Sequence, residues 1–317
     1  MRKLFAGDRV TIARAISLIE NESPGAHGLL RTTFPKTGRA YRVGITGPPG
    51  AGKSTITNNL AQFFRGEGQS VGIIAVDPTS PFTGGALLGD RVRMTDVEMD
   101  PGVFIRSMAS RGSLGGLSRK TVEAADILDA AGKDIIFMET VGVGQSELDI
   151  ASAADTTVVV LVPESGDSIQ AMKAGLIEIA DVFVLNKADR AGADQAVMSI
   201  QMILNFRPHG LWQIDVLKAI ASEGKGIREI AENIRQHRIF LESDGGLRTK
   251  REARMQKRIG ELVAGRLRTD FWTDKRKEIL AARIKSVMDL RSSPYDLADE
   301  LVTHFGAEKR TKNSSHV

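Results

Sequence analysis

The sequence predicts an α/β fold, a doubly wound and mostly parallel β-sheet with an N-terminal helix and a C-terminal helical appendage. Three observations carry this prediction. Short apolar segments alternate with helical stretches from Tyr41 to Ile220, which is the pattern of βαβ units. Several of these segments are almost continuously apolar, as in parallel strands that helices cover on both faces. After Lys250 the strand pattern ends and apolar residues recur at helical spacing.

Seven apolar segments are predicted as the strands of this sheet. They are Tyr41–Thr46, Val71–Val76, Val103–Ile105, Ile135–Glu139, Thr157–Val162, Val182–Asn186 and Ile214–Ile220. Right-handed crossovers through the intervening helices wind such strands into one sheet.

Helices are predicted at both ends of the chain. Asp8 has the residue type of an N-cap, and the helix after it runs to about residue 22, where a Ser-Pro-Gly tripeptide ends it. In the C-terminal part, two apolar stripes predict two helices, and a third begins after Ser293 with Pro294 at its first position and Asp296 three residues after the cap. The predicted organisation is an N-terminal helical extension (1–40), a central α/β domain (41–244), a helical region (245–310) and a loose tail (311–317).

The composition is that of an ordinary globular protein. The chain has 317 residues, 42% hydrophobic and 26% charged, which argues against a disordered or fibrous protein. The lack of cysteine excludes disulfides, thiolate metal sites and cysteine nucleophiles. The longest apolar stretch, Val158–Val162, is too short to span a membrane, and no segment has the pattern of a signal peptide. We therefore expect a cytoplasmic protein that does not bind membranes.

The net charge of +4 is unevenly distributed. From Gly245 onward there are 17 Lys and Arg against 10 Asp and Glu, a balance of +7, so the preceding part has 26 against 29, a balance of −3. The basic residues of the C-terminal part interleave with apolar residues at helical spacing, which favours solvated helix faces over a nucleic-acid surface. Nucleic acid is not expected as a partner.

A glycine-rich segment directly after the first predicted strand carries the strongest chemical signal. Gly47–Ser54 reads GPPGAGKS and fits G-x-x-x-x-G-K-[ST], a phosphate-binding loop that opens a helix. In such a loop the backbone N–H groups face phosphate oxygens, the Lys neutralises the β and γ phosphates, and the Ser hydroxyl binds Mg²⁺. The predicted phosphate-binding residues are Gly47, Pro48, Pro49, Gly50, Ala51, Gly52, Lys53, Ser54 and Thr55, and Lys53 is also predicted to be catalytic.

A second motif indicates which base the nucleotide carries. Asn186, Lys187 and Asp189 follow a buried strand and match the N-K-x-D pattern of GTP-binding proteins. The Asp carboxylate accepts hydrogen bonds from guanine N1–H and from the 2-amino group, whereas adenine has an acceptor at N1 and lacks the 2-amino group. Facing adenine, the carboxylate would lose its partners, so the motif predicts GTP rather than ATP.

Acidic residues between these two motifs are candidates for a metal site. Glu139 ends a predicted strand, where phosphate-loop enzymes usually place the Asp of D-x-x-G, and Gly142 stands where its N–H can reach the γ phosphate. A carboxylate there orders Mg²⁺ directly or through water. Asp77, at the end of the second strand, and Asp90, in a glycine-rich loop, are further candidates for the Mg²⁺ shell or for positioning water. The alternative for both is a cap or a solvated loop charge.

Taken together, these motifs resemble the MeaB/ArgK family of GTPases, the methylmalonyl-CoA mutase-associated, metallochaperone-type G proteins. The resemblance rests on stretches spread over nearly the whole chain. They are GDRVTIARAISLIE, GITGPPGAGKST, VDPTSPFTGGALLGDRVRM, ETVGVGQSE, VPESGDSIQAMKAG, VLNKAD and SPYDLADEL. The Glu of ETVGVGQSE is the more diagnostic feature, because Ras-like GTPases have Asp there.

The resemblance implies how the ligands bind. The phosphates of GTP or GDP lie on the phosphate-binding loop, Mg²⁺ lies near Ser54, Asp90 and Glu139, and guanine lies on the N-K-x-D motif. The resemblance therefore also implies catalytic roles for Asp90 and Glu139. Three segments are implied as switch regions: Thr83–Met94, Val141–Glu147 and Glu164–Lys173. The chain departs from the family where Ile220 and Ala221 replace the Ser-Ala that often follows the last strand, which weakens the support for a base contact from Ala221.

The resemblance also implies partners. Members of the family escort adenosylcobalamin-dependent acyl-CoA mutases, and their GTP binding and hydrolysis gate cofactor loading, exclude damaged cofactor and protect the mutase. They are typically homodimers through C-terminal helices, which agrees with the apolar stripes in the C-terminal part of this chain.

Three alternatives stay open at this point. An ATP-dependent kinase serving amino-acid transport, a label that this family has also carried, is disfavoured by Asp189. A nickel-insertion GTPase would need a Cys or His delivery site, and the chain has no cysteine and five scattered histidines. A non-catalytic scaffold is disfavoured by Lys53, Ser54 and Glu139. No catalytic Gln or arginine finger is evident in the sequence, which predicts slow hydrolysis that a partner accelerates.

Overall fold

The computed structural model describes residues 1–77, 97, 99–109, 119–140, 146–165, 174–206 and 212–314. The chain divides into two compact units, Met1–Arg251 and Glu252–Val317. The first unit contains the β-sheet and the second is helical. The domain limits given above from the sequence stay a prediction.

A parallel sheet forms the centre of the first unit. Its strands are β1 (Tyr41–Thr46), β2 (Val71–Asp77), β3 (Val103–Ala109), β4 (Ile135–Thr140), β5 (Thr156–Leu161), β6 (Val182–Leu185) and β7 (Val216–Lys218). They lie in the order β3-β2-β4-β1-β5-β6-β7, and each neighbouring pair is parallel. The predicted doubly wound parallel sheet is therefore confirmed.

Two strands differ from the prediction by more than one residue at an end. β3 continues beyond Ile105 because its polar residues stay in register with β2 as far as the pair Asp77 and Ala109. β7 is shorter than predicted because it lies at the edge of the sheet and pairs only with the last residues of β6, ending at Leu185 opposite Lys218. The apolar pattern of the sequence predicts neither difference, because the length over which a strand forms hydrogen bonds depends on the neighbouring strand.

The described helices lie before, between and after the strands. They are α1 (Arg2–Phe5), α2 (Arg9–Glu20), α3 (Ala26–Thr33), α4 (Lys53–Gly66), α5 (Arg119–Ala130), α6 (Ser146–Ala153), α7 (Ala174–Ile179), α8 (Ala193–Leu204), α9 (Ile227–Ser243), α10 (Gly246–Phe271), α11 (Asp274–Met288) and α12 (Pro294–Ser314).

Helices cover both faces of the sheet. Successive strand residues point to opposite faces, so that Val43 and Phe137 pack with α4 and α9 on one side. On the other side, Ile136 and Met138 pack with α2, α5 and α6, and Phe183 packs with α7 and α8. All six residues of β1, β4 and β5 are buried, which explains their continuous apolar runs.

The N-terminal helix α2 is part of this covering layer. The backbone N–H of Thr11 donates to the Asp8 carboxylate at 2.8 Å, so the predicted N-cap is confirmed. Ile12 and Ile16 are fully buried in the same core as α5. This helix therefore stabilises the sheet from the face opposite α4.

A buried group of charges, here called the amino-end cluster, lies where the strands begin. It consists of Arg42, Asp126, Asp129, Asp155 and Arg251. The Arg42 guanidinium lies 2.7 Å from Asp126 and 3.6 Å from Asp129. Asp155, which is fully buried, accepts from the Arg42 backbone N–H at 3.0 Å and from Arg251 at 2.8 Å.

The second unit contains α11, α12 and most of α10. Ser293 and Asp296 exchange hydrogen bonds of 2.7 and 3.0 Å, so the predicted start of α12 is confirmed as a capping box. The guanidinium of Arg276 lies over the rings of Phe271 and Phe305, at 5.3 and 4.9 Å from their centroids. Helix α12 continues to Ser314, into the segment predicted as a loose tail, because the residues after 305 include helix formers such as Ala, Glu, Lys and Arg. Within the described part of the chain, no helix combines the length and the apolar character that spanning a bilayer requires.

Candidate nucleotide-binding site

The candidate site lies at the carboxyl ends of the central strands. The loop from Gly47 to Ser54 follows β1, Glu139 stands near the end of β4, and Asn186 directly follows β6. β1 lies between β4 and β5, so the chain moves away from β1 in one direction to reach β2 and later crosses to its other side. Ligands of open α/β sheets bind at such a switch point, outside the carboxyl ends of the strands.

The phosphate-binding loop requires glycine at two positions. Gly47 has φ +134° and Gly52 has φ +86°, values that side-chain-bearing residues rarely adopt. A Cβ atom on Gly47 would lie 2.0 Å from the Val160 carbonyl oxygen, and one on Gly52 would lie 2.3 Å from the side-chain nitrogen of Asn186. The backbone therefore passes close to β5 and to the N-K-x-D motif, and α4 begins immediately afterwards at Lys53.

Lys53 is held inside this loop. Its side chain is buried, and Nζ donates to the carbonyl oxygens of Gly47 and Pro48, both at 2.9 Å. An ammonium group is thus fixed at the start of a helix, where the first-turn backbone N–H groups also favour an anion. The loop has the geometry and charge to bind phosphate groups.

Glu139 is bound on both carboxylate oxygens by hydroxyls of α4. Ser54 Oγ donates to Oε1 at 2.6 Å, and Thr57 Oγ1 lies 3.0 Å from Oε2. All three side chains are buried. The Ser54 hydroxyl and the Glu139 carboxylate are hard oxygen donors, which Mg²⁺ prefers, so this pair fits the predicted metal site.

Asn186 joins the base motif to the phosphate-binding loop. Its side-chain nitrogen donates to the Ala51 carbonyl oxygen at 2.8 Å, and its side-chain oxygen accepts from the Ala221 backbone N–H at 3.0 Å. The Ala188 backbone N–H donates to the Ala219 carbonyl oxygen at 3.0 Å. Three segments distant in sequence, around residues 51, 186 and 221, therefore meet at one point.

The other members of the motif differ in burial. Lys187 is half-buried and has φ +57°, a left-handed conformation that a non-glycine residue seldom takes. Asp189 is exposed, so its carboxylate can be reached by a ligand. The next residue, Arg190, pairs with Glu164, and this hydrogen bond lowers the pKa of the Glu164 carboxyl.

The structure brings most of the predicted site residues together. Residues 47–55, Glu139, Asn186 and Ala221 converge as described. Asp90 and Gly142 lie outside the described residues, as does the side chain of Asp77, so their assignments stay predictions. Of the three implied switch regions, Thr83–Met94 is outside, and only the ends of the other two are described.

Sequence reasoning missed two residues of this region, Thr57 and Asn59. Thr57 follows Ser54 by three residues and so lies on the same side of α4, which is the signal that could have indicated a second hydroxyl for Glu139. The Asn59 side-chain nitrogen donates to the Ala221 carbonyl oxygen at 2.7 Å. No sequence pattern indicates this contact, because the two residues are 162 positions apart.

Comparison with known proteins agrees with this geometry. The profile of the family described as "Methylmalonyl Co-A mutase-associated GTPase MeaB" matches residues 12–276. A provisionally named GTPase of Pyrococcus abyssi is 48% identical over 307 residues, covering 95% of this chain and 94% of the relative. The mouse protein named "Methylmalonic aciduria type A homolog, mitochondrial" is 33% identical over 322 residues, covering 95% of this chain and 78% of the relative.

One solved structure resembles the fold over almost its full length. A crystal structure of a "LAO/AO transport system kinase" matches with a TM-score of 0.73 and 28% identity, and 96% of each chain is covered. The family profile spans the phosphate-binding loop, Glu139 and the N-K-x-D motif, and it extends from within α2 to the start of α11. This chain therefore belongs to the MeaB family of mutase-associated GTPases, and it is a GTP hydrolase.

Proposed function

We propose that this chain is a guanine-nucleotide switch that serves an adenosylcobalamin-dependent acyl-CoA mutase, such as methylmalonyl-CoA mutase. Binding and hydrolysis of GTP gate the loading of the cofactor and protect the mutase. The observation that carries the proposal is the bond from Asn186 to the phosphate-binding loop at Ala51, in a chain whose family is described by its association with that mutase. The name of the mouse relative supports the same partner class. A cytoplasmic site of action stays a prediction from composition.

The phosphate end of the nucleotide is assigned to Gly47–Thr55. Lys53 Nζ is held by two neutral carbonyl oxygens of its own loop, and bonds to such groups can be exchanged for bonds to phosphate oxygens. In-line attack of water on the γ phosphate moves negative charge towards the β–γ bridging oxygen. Lys53 and the loop N–H groups stabilise that charge, which yields GDP and inorganic phosphate.

The metal position is assigned to Ser54 and Glu139, with Asp77 and Asp90 as further predicted contributors. Ser54 Oγ and Glu139 Oε1 lie 2.6 Å apart in a buried place next to the loop. Mg²⁺, when bound there, supplies neutralisation of the β and γ phosphates. The longer Glu side chain extends from β4 to the first turn of α4, where an Asp at the same position would fall short by one methylene.

Guanine recognition is assigned to Asn186, Lys187 and Asp189. We expect Asp189→Asn to weaken the preference for GTP over ATP at least about tenfold, because the variant amide no longer offers two acceptors to N1–H and the 2-amino group. The measurement is the ratio of kcat/KM for the two nucleotides. An undiminished ratio would move base recognition to other residues.

The experiment that tests the whole proposal is steady-state hydrolysis of GTP and ATP by the purified chain while an adenosylcobalamin-dependent acyl-CoA mutase is titrated in. We expect turnover of GTP only, slow in the chain alone and faster with mutase. GTP turnover that does not respond to the mutase would keep the nucleotide switch and remove the partner. Fast basal turnover would contradict activation by a partner.

A second candidate function is an ATP-dependent kinase or ATPase linked to amino-acid transport. It is favoured by the likeness of the fold to the protein named as a transport system kinase. The exposed carboxylate of Asp189 after β6 argues for guanine instead. ATP turnover in the same assay would establish this alternative.

We also propose that the chain forms a homodimer through its C-terminal helices. The 26-residue helix α10 has no buried residue among those described, although Ile259, Val263 and Leu267 form an apolar row on one face. These side chains are 46 to 54% exposed, which is unusual for a row of aliphatic residues unless another surface covers it. Sedimentation of Val263→Glu beside the unchanged chain tests this. A dimer that the substitution leaves intact would place the interface elsewhere.

A further inference from the structure

Asn59 occupies a position on α4 that no nucleotide-binding motif includes. It follows Ser54 by five residues on the helix that begins at Lys53. Its half-buried side chain donates from Nδ2 to the Ala221 carbonyl oxygen at 2.7 Å. The helix that carries the phosphate-binding side chains is thus bonded directly to the loop after β7.

Ala221 is held from both of its peptide groups. Its backbone N–H donates to the Asn186 side-chain oxygen at 3.0 Å. Its carbonyl oxygen accepts from Asn59 at 2.7 Å and from the Gly224 backbone N–H at 3.2 Å. Because Ala221 is buried, water cannot readily replace a lost partner. The position of this residue therefore depends on one side chain of the base motif and one of α4.

These bonds form a closed circuit around the candidate base site. Asn186 is bonded to Ala51 of the phosphate-binding loop and to Ala221, and Asn59 returns from Ala221 to α4. The turn Ala221–Glu223 is also closed by a backbone bond, since the Ile220 N–H donates to the Lys225 carbonyl oxygen at 3.1 Å. A shift at Ala221 would move the whole turn relative to the phosphate-binding loop.

We propose that Asn59 is a positioning residue that sets the distance between the phosphate-binding helix and the loop 220–225, which Asn186 of the base motif also holds through Ala221. It thereby contributes to selection of guanine nucleotides without touching the nucleotide. This inference rests on the proposed guanine site. ATP lacks the groups that the base site recognises and is bound through its phosphates. Its affinity therefore does not depend on the position of loop 220–225.

The test is direct fluorescence titration of N-methylanthraniloyl GTP and N-methylanthraniloyl ATP with the full chain and two variants. In Asn59→Ala we expect the Kd for the GTP analogue to rise about fivefold, the effect of one lost hydrogen bond, and the Kd for the ATP analogue to stay unchanged. Asn59→Asp keeps the size of the side chain but sets a carboxylate against a carbonyl oxygen. We expect a larger rise for it.

Gln62→Ala is the matched control. Gln62 is exposed on the same helix, so its loss should change neither Kd. Thermal unfolding of each variant verifies that it is folded, and saturating GTP should give all of them an unchanged kcat, because Lys53 and Glu139 stay in place.

Two results would overturn the proposal. One is an equal loss of affinity for both analogues in Asn59→Ala, which would indicate a general effect on α4. The other is an unchanged GTP Kd in both Asn59 variants. Asp189→Asn, titrated in parallel, separates this proposal from the base site. If Asp189→Asn keeps the GTP preference, the guanine assignment fails and the role of Asn59 loses its basis with it. If Asp189→Asn loses the preference while both Asn59 variants keep it, only the role of Asn59 is removed.

Discussion

Both ends of the parallel sheet bury charged side chains, but these side chains have different partners at the two ends. In the amino-end cluster, oppositely charged side chains form ion pairs. Arg42 lies 2.7 Å from Asp126, and Asp155 accepts from Arg251 at 2.8 Å. At the carboxyl end, the described bonds of Lys53 go to backbone carbonyl oxygens, and those of Glu139 come from hydroxyls. The described partners are therefore charged side chains at one end, whereas at the other end they include neutral carbonyl and hydroxyl groups.

This difference shows that burial of charge does not by itself identify a functional site. Opposite charges that already pair with each other bind a ligand weakly, because binding would have to break an ion pair inside the protein. Neutral carbonyl and hydroxyl groups are easier to exchange for phosphate oxygens or a metal ion. Glycine at positions 47 and 52 also lets the backbone pass close to β5 and to Asn186, which the amino-end cluster does not require.

The substitution with the largest expected effect is Lys53→Ala at the carboxyl end. We expect GTP turnover to fall at least about a hundredfold, because the phosphates lose an ammonium that is fixed before binding. Release of phosphate under saturating GTP is the measurement, and the thermal midpoint should change little. Undiminished turnover would show that the buried ammonium at the carboxyl end has no catalytic role, as is expected for the charges at the amino end.

Arg42→Met is the corresponding test of the amino-end cluster. It leaves Asp126 buried beside Asp129 with one cation fewer, and we expect a loss of about 3–5 kcal/mol in the free energy of unfolding. Turnover per folded molecule should not change, because Arg42 lies about 17 Å along the extended strand β1 from the start of the phosphate-binding loop at Gly47.

The double variant Arg42→Met with Asp126→Leu sharpens the result. Replacing both charges by apolar groups should recover most of the lost stability, as measured by denaturant unfolding. A change in GTP turnover of either variant, at equal folded fraction, would show that the two ends of the sheet are coupled.

A smaller effect is expected from Thr57→Val, which removes one hydroxyl from Glu139 and keeps the shape of the side chain. The carboxylate then keeps the described bond from Ser54 but loses the one from Thr57, so we expect the Mg²⁺ concentration for half-maximal turnover to rise roughly threefold to tenfold. Thr57→Ser should restore it. An unchanged Mg²⁺ dependence, with kcat also unchanged, would show that the Thr57 hydroxyl donates to the Lys53 carbonyl oxygen, which lies 2.9 Å away, and not to Glu139.

The sequence was sufficient to predict the parts of the molecule that depend on local chemistry. The phosphate-binding loop was predictable because glycine, Lys and Ser at that spacing fulfil steric and charge requirements within eight residues. The strands were predictable because helices cover both faces of the sheet, which requires unbroken apolar runs. The capping residues Asp8 and Ser293 act within a few positions and were also predictable.

Contacts between distant segments were not predictable in this way. Asn59 meets Ala221, and Thr57 meets Glu139, because the order of the strands places those segments side by side. A single sequence carries the residues but not the register that joins them. The charges of the amino-end cluster are equally hidden, since Arg42 lies in an apolar strand and its partners come from α5.

The smallest expected effect is a pH dependence of stability at the amino end of β5. There, His237 Nδ1 is 2.8 Å from Thr156 Oγ1, its Nε2 is 3.5 Å from Asp181, and the centroid of the Trp212 ring lies 4.8 Å from that of the imidazole. Burial lowers the pKa of His237 below its ordinary value of 6.5, while the charge of Asp181 opposes this shift and that of Lys250 adds to it.

Because the folded chain holds His237 neutral, the unfolded chain takes up the additional proton as the pH falls. Stability from this group is complete above about pH 6.5 and is lost below it, by at most about 1.4 kcal/mol per pH unit. Denaturant unfolding between pH 8 and 5 should therefore show a steeper decline for the unchanged chain than for His237→Gln. His27→Gln, at an exposed position of α3, should behave like the unchanged chain. Equal slopes for the chain and His237→Gln would contradict the buried neutral imidazole. A slope confined to unfolding, with GTP turnover per folded molecule unaffected, would confirm that the amino end stabilises the sheet while the carboxyl end carries the chemistry.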